Sequence, residues 1–156
     1  MIKNYTGQYK EQIIEFHERI MRETGAFIPG SWNDDLKNIE DVYIRPGGCF
    51  IFIEKNNKIA AMGAIRMIGQ NEAEIKRMRV ETKLQRQGFG QKILDHLILH
   101  AKEHEIERII LDTSEKQEAA QQFYLKNGFH EYGRKKWNDI IIILYEKYLT
   151  SKIEYD

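Results

Sequence analysis

One cysteine, Cys49, is all that a chain of 156 residues contains. No disulfide can close within it, which points to a reducing compartment and a cytoplasmic location. An excess of one charge is also missing. The 24 basic residues are matched by 24 acidic ones, so the basic surplus of a nucleic-acid binder is absent and no such partner is expected. Only two prolines occur, Pro29 and Pro46, and no Pro-rich or Ser/Gly-rich linker splits the chain. With no internal repeat, 1–156 reads as one domain, long enough to bury a core. Long apolar runs are lacking too. IIIILY at 140–145 is too short to span a bilayer, and MIKNYTGQYKEQ at the start has no apolar stretch of the signal-peptide kind. A soluble protein without a membrane partner is expected.

What is present is a clear alternation of periods. MIKNYT suggests a first strand. From Gln8 to Glu23, Ile13, Phe16 and Ile20 fall at helical spacing. TGAFIPGSW at 24–32 reads as a loop, and Asn33 or Asp34 as the cap of a second helix reaching Tyr43. After the RPGG turn the period becomes two. CFIFIEK, KIAAMGAIRMI and EAEIKRMRVET form a three-strand antiparallel meander, turning at Asn56 and Asn57 and again at 69–71. Helical spacing returns after Gly88 with Phe89, Ile93, Leu97 and Ala101. ERIILDT is a buried strand, and KQEAAQQFYLKNGF a helix closed by Gly128. A last strand pair turns near Asn138 and Asp139. The order is β-α-α-β-β-β-α-β-α-β-β, an α/β (α+β) mixed sheet with helices on its faces.

QRQGFG at 85–90 puts two glycines at the mouth of a helix. Such a loop can aim backbone N–H groups at a phosphate, helped by the positive end of the helix dipole. It can equally be a plain turn. It is not a nucleoside-triphosphate loop, since Gln91 follows Gly90 and no glycine lies five residues earlier. Nor does it complete the dinucleotide fingerprint, because Ile93 stands where a third glycine belongs.

Gln85, Gly88 and Gly90 fit the [QR]-x-x-G-x-[GA] pattern of the GNAT superfamily of acetyl-CoA-dependent N-acetyltransferases. The strand AEIKRMRV before it resembles this family as well. So does AAQQFYLKNGF, through Ala120, Tyr124, Gly128 and Phe129. The element order is that of the GNAT acyl-CoA N-acyltransferase fold.

The resemblance implies a function and a site. Acetyl-CoA would be the co-substrate and a primary amine, expected to be a small molecule, the acceptor. Backbone N–H groups of Gln85, Arg86, Gln87, Gly88, Phe89, Gly90 and Gln91 would wrap the pyrophosphate. The segment Met78, Arg79, Val80 would splay from its parallel neighbour and pair with the pantetheine arm as a missing strand would. Lys83 and Arg86 could add charge near the phosphates. Tyr124 takes the place of a general acid for the leaving thiolate, and also lies against the coenzyme. Glu74 matches a position where some members carry the base; others relay the proton through water. Simple alternation puts Glu74, Lys76, Met78 and Val80 on one face, and an ion pair with Lys76 is the rival explanation of Glu74. Gln117 replaces the family's frequent asparagine beside the pantetheine. The alternative function is a non-catalytic acyl-CoA sensor of the same fold.

Other features have plainer readings. His96, His100 and His104 share a stripe, taken as a solvated helix face, and no metal site is assigned. Cys49 reads as a small buried residue. Phe27, Trp32, Asp34 and Asp35 lie where the family forms its acceptor pocket, with carboxylates and aromatics that suit a cationic amine. Arg134, Lys135 and Lys136 read as guards of a sheet edge. The apolar last strand and the tail EKYLTSKIEYD could support a homodimer.

Overall fold

A computed structural model describes residues 1–24 and 34–149 of the chain. Seven strands assemble into one mixed sheet. Strands β1 (Ile2–Asn4), β2 (Cys49–Lys55), β3 (Lys58–Met67) and β4 (Glu72–Val80) run antiparallel in chain order. Asn56 and Asn57 make the β2–β3 turn with φ of 54° and 63°. A two-residue hairpin turn needs positive φ, and asparagine tolerates it. Helix α3 (Phe89–Glu103) then crosses over, so that β5 (Arg108–Ser114) joins β4 in parallel. After α4 (Glu118–Lys126), strands β6 (His130–Trp137) and β7 (Ile140–Tyr148) close the order β1-β2-β3-β4-β5-β7-β6. The expected mixed sheet is therefore present. Asn138 and Asp139 form its last turn, at φ of 46° and 64°.

Each face of the sheet has its own core. Helix α1 (Lys10–Glu23) and the short α2 (Asp34–Lys37) bury Ile13, Phe16, Ile20 and Leu36 against Phe50, Phe52 and Met62. On the opposite face α3 and α4 bury Ile93, Leu94, Leu97 and Tyr124 against Ile51, Ala61, Ile65 and Ile109. Gly128, at φ 88°, ends α4, and the Phe129 N–H returns to the Tyr124 carbonyl at 3.0 Å. Arg134, Lys135 and Lys136 lie on β6, the exposed edge strand.

Two boundaries differ from expectation. The first helix begins at Lys10, after a single 3₁₀ turn at Gly7–Tyr9. The helix expected to run to Tyr43 is instead α2 followed by a π-helical turn, Glu40–Ile44. Its wider loop closes with the Arg45 N–H on the Glu40 carbonyl at 2.8 Å, while the Gly48 N–H bonds the Tyr43 carbonyl at 2.8 Å. Gly48 must lack a side chain, because a Cβ there would lie 2.0 Å from the Ile65 carbonyl oxygen. Among the described residues no helix is long and apolar enough to cross a membrane.

Candidate functional site

The site begins where two parallel strands part. β4 and β5 pair only at Glu72–Arg108, Ala73–Ile109 and Glu74–Ile110. Beyond that point β5 keeps β7 as its neighbour and β4 keeps β3. The Glu81 N–H bonds the Ala60 carbonyl at 2.8 Å on the β3 side. Backbone groups alternate along an antiparallel strand, so Met78 and Val80 turn theirs away from β3, into the opening. The Met78 carbonyl accepts a hydrogen bond from Arg79 Nη1 at 2.8 Å.

A β-bulge resets the side chains in the same stretch. Met62 faces Arg79 and Ala64 faces Lys76, so Arg77 and Met78 together oppose Gly63. Arg77 takes φ 59°, an uncommon value for a residue with a side chain. A Cβ on Gly63 would lie 2.6 Å from both Met78 Sδ and Ile93 Cγ2, so glycine leaves the room the bulge needs. The bulge corrects the expected alignment of Glu74 with Met78 and Val80. Glu74, Lys76 and Arg79 oppose Arg66, Ala64 and Met62 on the α1 side, whereas Met78 and Val80 pack in the core under α3. Alternation holds only while the register is unbroken. Nor is Lys76 the ionic partner of Glu74: Arg66 is, at 3.7 Å.

The glycine loop sits at the top of this opening. Arg86 and Gly88 take positive φ, 65° and 90°. The first α3 hydrogen bond from its own turn is Lys92 N–H to the Gly88 carbonyl, 3.1 Å. Backbone N–H groups ahead of it, through 85–91, find no carbonyl partner among the described residues. Unpaired donors at a helix start form an anion-binding surface. A Cβ on Gly88 would meet nothing within 4 Å, and one on Gly90 would lie 3.6 Å from Val80 and 3.8 Å from Phe123. The two glycines thus keep the approach open rather than fit the loop to the core. Lys83, Gln85, Arg86 and Gln87 are exposed around it. The Gln91 side chain is engaged elsewhere, bonding Asp95 and Asn127 at 2.8 Å each and so tying α3 to the end of α4. Gln117 is likewise occupied: its Oε1 accepts the Ser114 N–H at 3.0 Å and shapes the turn into α4.

Tyr124 reaches the site from α4. Its ring is buried at 6% exposure, edge-on to Phe123 and Phe129 with centroids 5.1 and 5.6 Å away. Burial pushes its pKa up, and the positive charge of Arg79 pulls it partly back. The phenol therefore stays protonated at neutral pH.

A second cluster, which the sequence reading missed, lies under the bulge. Arg77 Nε and Nη2 hold the two Asp35 oxygens at 2.9 and 2.5 Å, and Nη1 lies 3.1 Å from His17 Nε2. Tyr43 donates its hydroxyl to Asp35 at 2.5 Å. Burial alone would raise the Asp35 carboxyl; the hydrogen bonds from Arg77 and Tyr43 outweigh it and hold the pKa below the usual value. Asp35 is thus already neutralised, which removes it from the expected cationic-amine pocket. Phe27 and Trp32 lie outside the described residues. The ion pair of Arg77 has no sequence signature, but its place in the bulge does: Lys76 and Arg77, two polar residues in succession, break the alternation of β4.

Other candidates resolve simply. His100 is partly buried, with Nε2 3.0 Å from the Gly47 carbonyl, and its ring stacks on His104 at 4.0 Å. It ties α3 to a loop rather than lining a purely solvated face. Cys49 is buried, which pushes its thiol up to about 11 and leaves it inert. A depression of about 300 Å³ lies on another side of α3, between Asp95, Lys102 and Lys147. It contains none of the groups around the strand opening.

Comparison with known proteins gives the same outline. The model of the Acetyltransferase (GNAT) family matches residues 13–129. The chain is 29% identical over 87 residues to the uncharacterized N-acetyltransferase YedL of Escherichia coli K12, a match covering 54% of this chain and 55% of that protein. It thus spans about half the length of that curated relative. A GNAT-family acetyltransferase structure from Staphylococcus aureus Mu50 superposes with a TM-score of 0.87 at 31% identity, covering 96% of this chain and 99% of the other. The PaiA N-acetyltransferase of Thermoplasma acidophilum, solved in complex with coenzyme A, shares the fold at a TM-score of 0.77 and 18% identity, over 96% and 98% of the two chains.

Proposed function

Because the chain belongs to the GNAT acetyltransferase family, we propose that it transfers the acetyl group of acetyl-CoA to a primary amine by direct attack in a ternary complex. One observation carries this reading: a strand edge with no neighbouring strand, at Met78 and Val80, leads into the run of open amides at 85–91. A pantetheine arm is an amide-bearing chain that ends in a pyrophosphate. It would complete the strand edge and place its phosphates on the amides and the α3 N-terminus. Met78 and Val80 then supply main-chain partners, while the Arg79 backbone faces Met62 of β3, and Gly88 and Gly90 supply clearance. Gln91 contributes its backbone N–H, since its side chain is committed to Asn127. Gln117 is left its side-chain NH₂, as its oxygen holds the Ser114 amide.

The acceptor nitrogen attacks the thioester carbon, the C–S bond breaks, and the thiolate takes a proton. Tyr124 is the proposed donor. Its buried phenol is protonated at neutral pH and so holds the proton that the thiolate needs. Glu74, on the α1 side at the last paired position before the splay, is the proposed base, directly or through water.

The test is thiol release from acetyl-CoA across a panel of amines, beside calorimetric titration with CoA. Release that depends on an amine supports the transferase. CoA binding with no release from any amine supports the sensor reading of the fold. No CoA binding at all overturns both.

A further inference from the structure

Arg77 and Arg79 stand two residues apart, and only one of them has an anion. Arg77 is gripped by Asp35 on the Nε and Nη2 edge of its guanidinium. Arg79 has no such partner. Its Nη1 bonds the Met78 carbonyl at 2.8 Å, and that is its one hydrogen bond among the described residues. Nε is buried without an acceptor. Burial, followed by the repulsion of Arg77, pushes this guanidinium down to about 10.

Among the described residues, the carboxylates flanking this stretch are already paired. Asp35 holds Arg77, Glu74 holds Arg66 at 3.7 Å, and Glu81 holds Arg19 at 2.7 Å. Lys76 adds a further positive charge on the same face of β4. A partly buried guanidinium without a counter-ion is costly, and leaving its covered Nε–H unmade adds to that cost. The unfilled edge, Nε with Nη2, is the fork that matches a carboxylate with two parallel hydrogen bonds. Arg77 uses that same edge to take Asp35. The charges acting on Arg79 come from Arg77, Asp35 and Tyr43 on the α1 side and from Tyr124 across the strand opening. Arg79 opposes Met62, which places it on the face of the sheet away from α3.

We propose that the amine acceptor carries a carboxylate, and that the side-on edge of Arg79 binds it. This rests on the acetyltransferase reading above. It excludes polyamines, which would meet Lys76 and Arg79 with like charge.

The experiment compares thiol release from acetyl-CoA with glycine, L-alanine, L-aspartate, β-alanine and γ-aminobutyrate, each beside its primary carboxamide, and with spermidine. CoA affinity is measured alongside and reads the acetyl-CoA assignment by itself. The expected result is an acid preferred over its amide by ~10–100-fold in kcat/KM, the range of a charged hydrogen-bonded pair. R79Q should reduce that ratio to near one, acting mainly on KM. R79K keeps the charge but loses the fork, so it should recover only part of the ratio; a merely structural role would not sort acids from amides. A chain that binds CoA but acetylates amides or spermidine as well as the acids, or none of the acids, overturns the proposal. So does an acid-to-amide ratio that R79Q leaves intact. Absent CoA binding would instead overturn the acetyltransferase reading.

Discussion

The two ends of β4 differ in what holds them. Glu72, Ala73 and Glu74 have β3 on one side and β5 on the other. Met78, Arg79 and Val80 have β3 alone, and their outer backbone groups face an opening. The sequence of the strand carries one small sign of this change: EAEIK alternates polar with apolar, Lys76 and Arg77 are two polar residues in succession, and RMRV alternates in the shifted phase. The lower end is ordinary sheet. At the upper end the bulge, the buried arginines and the glycine loop converge. A strand deprived of a neighbour is unstable unless something fixes it. Here the Arg77–Asp35 pair fixes it from below, and the absence of a side chain on Gly63 makes room for it above.

The sharpest way to break the contrast is to remove that anchor. Asp35→Asn leaves Arg77 buried without its anion and should cost about 3–5 kcal/mol of stability at neutral pH, measured by urea unfolding. The pH dependence follows from the lowered Asp35 pKa. Its contribution is complete above the unfolded value, about 3.9, and is lost as pH falls below that toward the folded value. The variant should therefore lose stability at pH 7 and show a flatter acid limb than the parent. An unchanged acid limb would mean that Asp35 does not hold the bulge.

Gly90→Glu attacks the upper end from the loop. A carboxylate set among the open amides should repel a pyrophosphate by several kcal/mol, a loss of about a thousandfold in acetyl-CoA affinity. Calorimetry reads it, and a Gly90→Ala control should bind well, because a Cβ there makes only ordinary contacts. Unaltered affinity in the glutamate variant would move the coenzyme site elsewhere.

Tyr124→Phe tests the chemistry at the same end. Loss of a general acid should lower kcat by about a hundredfold with little change in KM. The raised phenol pKa also predicts that the parent keeps its activity past pH 10, the ordinary tyrosine value, before the alkaline limb falls. An alkaline limb below that value assigns the proton to another group. The smallest effect is expected from Gly63→Ala. Its methyl would crowd Met78 and Ile93 and should cost about 1–3 kcal/mol, read as a lowered unfolding midpoint.

Much of the fold was legible along the chain because it depends on short-range patterns. Strand β2 matches CFIFIEK residue for residue, and Asn56–Asn57 and Asn138–Asp139 turn where turn chemistry says they should. Gly88 marked the helix start and Gly128 the helix end because each needs a positive φ that few residues accept. The candidate site was legible only where a motif names it. Glu74 was aligned with Met78 and Val80 by simple alternation, and one extra residue in the strand was enough to put it on the other face. The π-helical turn at Glu40–Ile44 gave no local warning either, because its closure depends on Gly48 and Asp35.

By itself, then, the sequence determined the order of strands and helices, the apolar face of each helix, and the glycine loop that identifies the family. Those follow from periodicity and backbone preference, which act over a few residues. Only the tertiary structure decided where β4 leaves β5, and that Asp35 neutralises Arg77 while Arg79 keeps an unfilled edge. These outcomes depend on which chain segments meet across 42 residues and more of sequence, as Arg77 meets Asp35, and no local pattern encodes such a meeting.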